Sequence, residues 1–120
     1  METHVEGTKE QFVSFMKAPI EGPIRMLNLL RYKADGGEAK YAEYGANTQP
    51  CLEKVGGKVI FRGDGKLTVI GGEDWDLILI VEYPSKDKMV EMIQSEEYQA
   101  GVHLRHEALE DSRLVCMQSE

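Results

Sequence analysis

The spacing of apolar and polar positions changes along the chain, and each change marks an element. Phe12, Phe15 and Met16 fall on one side of a predicted helix over Lys9–Lys17, with Thr8 placed to cap it and Pro19, Gly22 and Pro23 to end it. Residues 24–32 are almost all apolar and too few for an ordinary helix, which predicts a strand. After Gly36-Gly37, the residues Tyr41, Tyr44, Thr48, Leu52 and Val55 recur at helical spacing and predict a helix over 38–55. Pro50 should kink that helix or split it near Asn47, and Gly56-Gly57 should stop it.

Residues 58–62 and 67–70 predict two short strands. Asp64-Gly65 between them is a hairpin signal, because both central residues of such a turn favour positive φ. Residues 76–83 carry the unbroken run Leu77-Ile78-Leu79-Ile80-Val81, which predicts a strand buried on both faces. Ser85 is placed to cap a helix running to Gln94. Ser95 starts another, with Glu96 and Glu97 in its first turn and Tyr98, Val102, Arg105 and Leu109 as its inward stripe. Residues 112–117 predict a final strand.

This order predicts an α+β, ferredoxin-like βαββαβ fold. It consists of a four-stranded antiparallel sheet with helices on one face, an extra N-terminal helix and an extra hairpin. A single domain over 1–120 is expected, with 1–23 as a helical extension and 24–120 as the core. The helices cover one sheet face, yet the 76–83 strand is apolar on both. Leaving that second face wet forgoes about 25 cal/mol per Å2 of apolar area. In a chain of 120 residues the simplest cover is a second copy related by a twofold axis, a homodimer.

Composition narrows the classes of function. The chain is 42% hydrophobic, enough for one core, and its net charge of -7 repels phosphate backbones and anionic membranes. No nucleic-acid or membrane partner is therefore expected. The N-terminal residues lack a basic n-region and an apolar h-region, so a cytoplasmic location is expected. Cys51 and Cys116 lie far apart without paired-ligand spacing, so they are read as two thiols rather than a zinc site.

Seven segments together carry a family resemblance: Met26–Tyr32, Tyr41–Tyr44, Gly56-Gly57, Trp75-Asp76, Val81–Ser85, Glu97–Gln99 and Ala108–Leu114. From about Ile24 onward the chain resembles the family called domain of unknown function 1330, in the dimeric α/β-barrel superfamily. The resemblance implies two ferredoxin-like sheets closed face to face into a barrel. That superfamily includes cofactor-free monooxygenases, small isomerases and haem-handling proteins. The resemblance assigns no catalytic residue.

Candidate chemistry therefore comes from the residues themselves. Asn28 is the odd amide in an apolar strand. Either neighbouring backbone satisfies it, or it faces a ligand and holds a carbonyl or enolate oxygen. Tyr41, Tyr44 and Tyr98 are large core residues or the phenol lining of a substrate cavity. Arg105 must not be buried unpaired. It is expected either to pair with a carboxylate such as Glu82 or Asp111, or to anchor an anionic ligand. Trp75 is a candidate to stack a ligand or to plug one end of the barrel. His103 is a candidate general base. His103, His106 and Glu107 share a helix edge, but their order matches no metalloenzyme motif, so no metal and no cofactor are expected.

Two functional readings follow. The first is a binder or cofactor-independent enzyme for a small organic acid or ketone, with a cavity touched by Asn28, Tyr44 and Arg105. The second is a non-catalytic homodimeric module, structural or stress-related, whose polar core residues only fix packing.

Overall fold

The computed structural model describes residues 2–119. The elements run α1 (Lys9–Lys17), β1 (Ile24–Tyr32), α2 (Gly37–Lys54), β2 (Lys58–Asp64), β3 (Leu77–Tyr83), α3 (Lys86–Gln94), α4 (Glu96–Ala108) and β4 (Leu109–Met117). The strands form one antiparallel sheet in the order β2-β3-β1-β4. This is the ferredoxin-like α+β arrangement that the periodicity predicts. No helix among the described residues is long and apolar enough to cross a membrane.

The caps explain where the helices begin. Thr8 accepts from the Gln11 amide while the Gln11 side chain returns to the Thr8 amide, a complete capping box. Ser85 accepts from the Lys88 amide, and Ser95 from the Tyr98 amide. Gly56, at φ 80°, takes the left-handed turn that ends α2.

Three expectations require correction. Pro50 does not split its helix, because α2 is continuous from Gly37 to Lys54. The Ala46 carbonyl that loses its amide partner belongs to an exposed residue, on the side open to solvent, while Tyr41, Cys51 and Leu52 hold the other side in the core. The Asp64-Gly65 hairpin is absent. β2 runs through Asp64, which pairs with Leu77, and the Gly65 amide extends the ladder to the Asp76 carbonyl at 3.0 Å. Residues 67–70 form no strand, because no neighbouring ladder meets them. Leu67, Val69 and Ile70 stand 82%, 85% and 93% exposed.

Sheet register decides which residues share a face. Ile24, Met26, Asn28 and Leu30 of β1 face the helices, as do Leu77, Leu79, Val81 and Tyr83 of β3. The core on this side is two clusters. One holds Ile24, Met26, Leu52, Tyr83 and Met92, with Tyr98 against it. The other holds Leu30, Tyr41, Leu77, Leu79, Ala108 and Leu109, with Val5 and Tyr44 against it. The opposite face presents Leu27, Leu29, Ile78, Ile80, Phe61 and Val115. Ion pairs bracket this apolar centre, with Arg25–Glu82 at one end and Arg31–Asp111–Arg113 at the other.

Candidate functional site

The sheet places Asn28 between Met26 of the first cluster and Leu30 of the second, on the helix side. Its Nδ2 donates to the Met26 carbonyl at 3.1 Å, and its Oδ1 accepts no hydrogen bond among the described residues. Of the two fates open to it, the backbone bond is made and the acceptor is left over.

Helical spacing on α2 puts Tyr41 and Tyr44 on one side, their ring centres 5.3 Å apart. Tyr44 then meets Tyr98 of α4 edge-on, with the two hydroxyls 2.8 Å apart. That bond joins the two clusters, so Asn28, Tyr44 and Tyr98 mark a polar seam across the core. Burial pushes the Tyr41 phenol up to about 12, with nearby Arg105 pulling the other way. Tyr44 is raised further by burial and by Tyr98, and Tyr83 by burial with Tyr98 and Tyr41 close by. These phenols stay protonated at neutral pH. They are hydrogen-bond donors, not bases.

Arg105 reaches the same side of α4 but pairs with neither expected carboxylate. Glu82 is held by Arg25 and Lys58, and Asp111 by Arg31 and Arg113. The Arg105 guanidinium instead donates to the Val5 carbonyl and, at 3.4 Å, to the Ser112 hydroxyl. No carboxylate lies within ion-pair distance of it among the described residues. The Val5 carbonyl belongs to an N-terminal strap. His4 N–H donates to Asp111 at 2.7 Å, Ser112 Oγ donates to the His4 carbonyl at 2.8 Å, and Glu6 meets His106 at 3.5 Å.

Asp111 is 1% exposed. Burial alone would raise its pKa, but the His4 amide, the Arg113 guanidinium and the Ser112 amide outweigh burial and hold the carboxyl below its ordinary value.

The remaining candidates lie elsewhere. Trp75 sits across the sheet from the tyrosines, its ring between Arg31 at 5.6 Å and Arg113 at 5.3 Å. His103 is exposed, its ring 3.9 Å from Glu107. No group of three His, Cys, Asp or Glu side chains among the described residues is placed to hold a metal. Neither of two surface cavities is the expected one touched by Asn28, Tyr44 and Arg105. One, of about 450 Å3, lies between α2, α3 and α4 and is lined by Pro50, Cys51 and Met92. The other, of about 350 Å3, is lined by Thr3, His4, Val5, Glu6 and His106, against the strap that occupies Arg105.

Sequence reasoning missed Tyr83, Ser112 and the strap. Tyr83 closes the core strand and gave the signal of an aromatic at its end. Nothing in Thr3–Glu6 signals docking 100 residues away.

Comparison with known proteins shows a family and a fold for this chain. The family model described as "Domain of unknown function (DUF1330)" matches residues 35–119. A crystal structure of a protein of unknown function from Rhodopseudomonas palustris is 40% identical, covers 99% of this chain and 98% of its own, and superposes with a TM-score of 0.91. A dimeric ferredoxin-like protein of unknown function from Jannaschia sp. is 10% identical, covering 82% of this chain and 100% of its own, with a TM-score of 0.65. A cofactor-independent oxygenase from Streptomyces nogalater, SnoaB, is 11% identical, covering 82% and 94%, with a TM-score of 0.59. The last two share the fold. No curated protein matches the chain.

Proposed function

From the premise that this chain belongs to the DUF1330 family, we propose that it binds a small organic acid or ketone at Arg105 and the tyrosines beside it, as a homodimer in the cytoplasm. Residues 1–120 act as one dimeric α/β-barrel domain, with 1–23 as its helical extension.

One observation carries the ligand class. Among the described residues Arg105 is a half-buried guanidinium with neutral partners only, so no carboxylate there compensates its charge. A ligand carboxylate replacing the Val5 carbonyl would form the charge-assisted pair that the fold leaves unmade. A cavity lined by Thr3–Glu6 and His106 lies against the strap whose Val5 carbonyl holds Arg105. Tyr41 and Tyr44, kept protonated, supply donors for a carbonyl or enolate oxygen. Asn28 supplies a spare acceptor in the same layer.

The pairing rests on the apolar face away from the helices. Leu27, Leu29, Ile78 and Ile80 form its centre, and Phe61 and Val115 are exposed around them. The description of the Jannaschia protein as dimeric supports the same reading.

A second reading, a non-catalytic structural dimer, is favoured by the intramolecular partners of Asn28, Tyr44, Tyr98 and Arg105. The two readings separate in a thermal-shift panel of short hydroxy acids, 2-oxo acids and ketones. A ligand present at about 100 times its Kd stabilises by about 2.7 kcal/mol. The binding reading expects a shift for an acid that Arg105→Gln abolishes. A flat panel, or a shift that survives Arg105→Gln, favours the structural reading.

A further inference from the structure

The 12 residues between β2 and β3 carry three aliphatic side chains that no intramolecular packing explains: Leu67, Val69 and Ile70. Their exposures, already given, are those of free side chains, and they lie within four positions of one another. A loop of this length with an apolar tip is rare in a compact domain unless it has a role.

The base of the loop is anchored. The Gly65 amide bonds the Asp76 carbonyl at 3.0 Å, and the Asp76 amide bonds the Leu30 carbonyl at 2.8 Å. The Asp76 carboxylate accepts from the Tyr32 amide at 2.8 Å, and Thr68 Oγ1 donates to the Glu73 carbonyl at 2.6 Å. A Cβ on Gly65 would overlap the Trp75 carbonyl, so the two sides of the base touch directly. Glu73 pairs with Arg113 at 3.0 Å, and Trp75 stacks between Arg31 and Arg113. Both arginines project from the sheet face away from the helices. The loop therefore leaves the sheet at the margin of that apolar face.

Area points to the same place. Four strands about 4.8 Å apart and seven residues rising about 3.4 Å each give a face of roughly 450 Å2 in projection. A stable dimer buries about 800 Å2 per partner. Those roughly 800 Å2 are accessible surface, which exceeds the projection of the same patch, but Trp75 and Glu73 already cover one end of the face and narrow what the sheet alone offers.

We infer that Leu67, Val69 and Ile70 form an arm that clasps a second copy of this chain, extending the sheet-to-sheet contact around the partner's edge. The inference rests on the pairing reading above and is independent of the ligand reading. The occupant is another copy because the arm is continuous with the face that pairs.

Sedimentation equilibrium of the full chain tests it, using the wild type, the triple variant Leu67→Ser/Val69→Ser/Ile70→Ser, and Leu29→Glu. The triple variant should keep the far-ultraviolet spectrum and raise the dimer dissociation constant by at least about 30-fold, a scale set by losing several buried apolar anchors. Ile70→Ser alone should move the constant in the same direction, and it serves if the triple variant does not fold. A triple variant within about threefold of wild type, while Leu29→Glu dissociates, overturns the arm and leaves the pairing intact, since such a gap is well under the tenfold that 1.4 kcal/mol represents. A wild type that sediments as a monomer overturns both. An unchanged dimer constant, with lipid-vesicle binding lost in the triple variant, assigns the arm to a membrane surface and also overturns the clasp.

Discussion

Replacing Asp111 by Asn should be among the most damaging single changes outside the apolar core. The carboxylate accepts four bonds: from the His4 amide at 2.7 Å, the Ser112 amide at 2.9 Å, Arg113 at 2.6 Å and Arg31 at 3.1 Å. Asn keeps one acceptor oxygen at Oδ1, where the two backbone amides and Arg113 bond, but that oxygen is neutral and weakens the Arg113 bond. On the other side it turns an NH2 toward the Arg31 guanidinium. A hydrogen bond to a charged group is worth about 1.5–3 kcal/mol, but both arginines are part exposed and recover some hydration, so about 1 kcal/mol each is lost. The sum is about 2 kcal/mol, a sizeable part of the 5–15 kcal/mol that stabilises a typical domain. For a chain of this size the melting temperature should fall by about 8 °C.

The pH dependence gives a sharper test. Asp111 is lowered in the folded state, so it contributes stability that is complete above its unfolded pKa near 4 and lost as pH falls toward the folded value. Urea unfolding of wild type and Asp111→Asn should differ most at pH 7, and the two should converge below pH 4. The slope of convergence is limited to about 1.4 kcal/mol per pH unit for one proton. A difference under 1 kcal/mol at pH 7, or one unchanged between pH 7 and pH 3, would refute the reasoning.

Three further outcomes follow from the same geometry. Tyr41, Tyr44 and Tyr83 are raised in the folded state, so their contribution is intact below pH 10 and lost as pH climbs beyond it; absorbance at 295 nm should show fewer than five phenolates until alkaline unfolding, and five ionising together near pH 10 in native protein would contradict this. Tyr98→Phe removes the partner of the Tyr44 hydroxyl and should cost about 1 kcal/mol in urea unfolding, with no cost if the hydroxyl bond contributes nothing. Pro50→Ala restores an amide for the Ala46 carbonyl and should stabilise by about 1–2 kcal/mol, the helix gain less the loss of proline's restraint on the unfolded chain; a destabilised variant would mean that the ring is packed rather than tolerated.

The fold was legible because burial and period agree over most of the chain. The Leu77–Val81 run, the caps at Thr8, Ser85 and Ser95, and the glycine stop at Gly56 each act locally, so local sequence suffices to read them. The misread segments depend on distant partners. Asp64-Gly65 has turn chemistry, but Leu77 and Asp76 claim both residues for the β2–β3 ladder. The site divides in the same way. Helical spacing brings Tyr41 beside Tyr44, and the second helix supplies Tyr98 and Arg105. The partners of Arg105 were unreadable, because Val5 lies 100 residues away in a segment with no periodicity. Pleat parity set by strand register puts Asn28 on the helix side, while Trp75, on the loop before β3, stacks against arginines of the other side.

The division of the interior into two apolar clusters bears on how the molecule yields. Strand β1 is the spine common to both, yet at Asn28 its side chain contributes an amide instead of grease. Each cluster is tied to its own helix ends, and the Tyr44–Tyr98 hydroxyl pair is a rivet between them that water can replace without exposing either apolar half. Partial opening at that line is therefore cheap compared with melting, and amide protons near residue 28 should exchange sooner than those at Ile24 or Leu30 on the same strand.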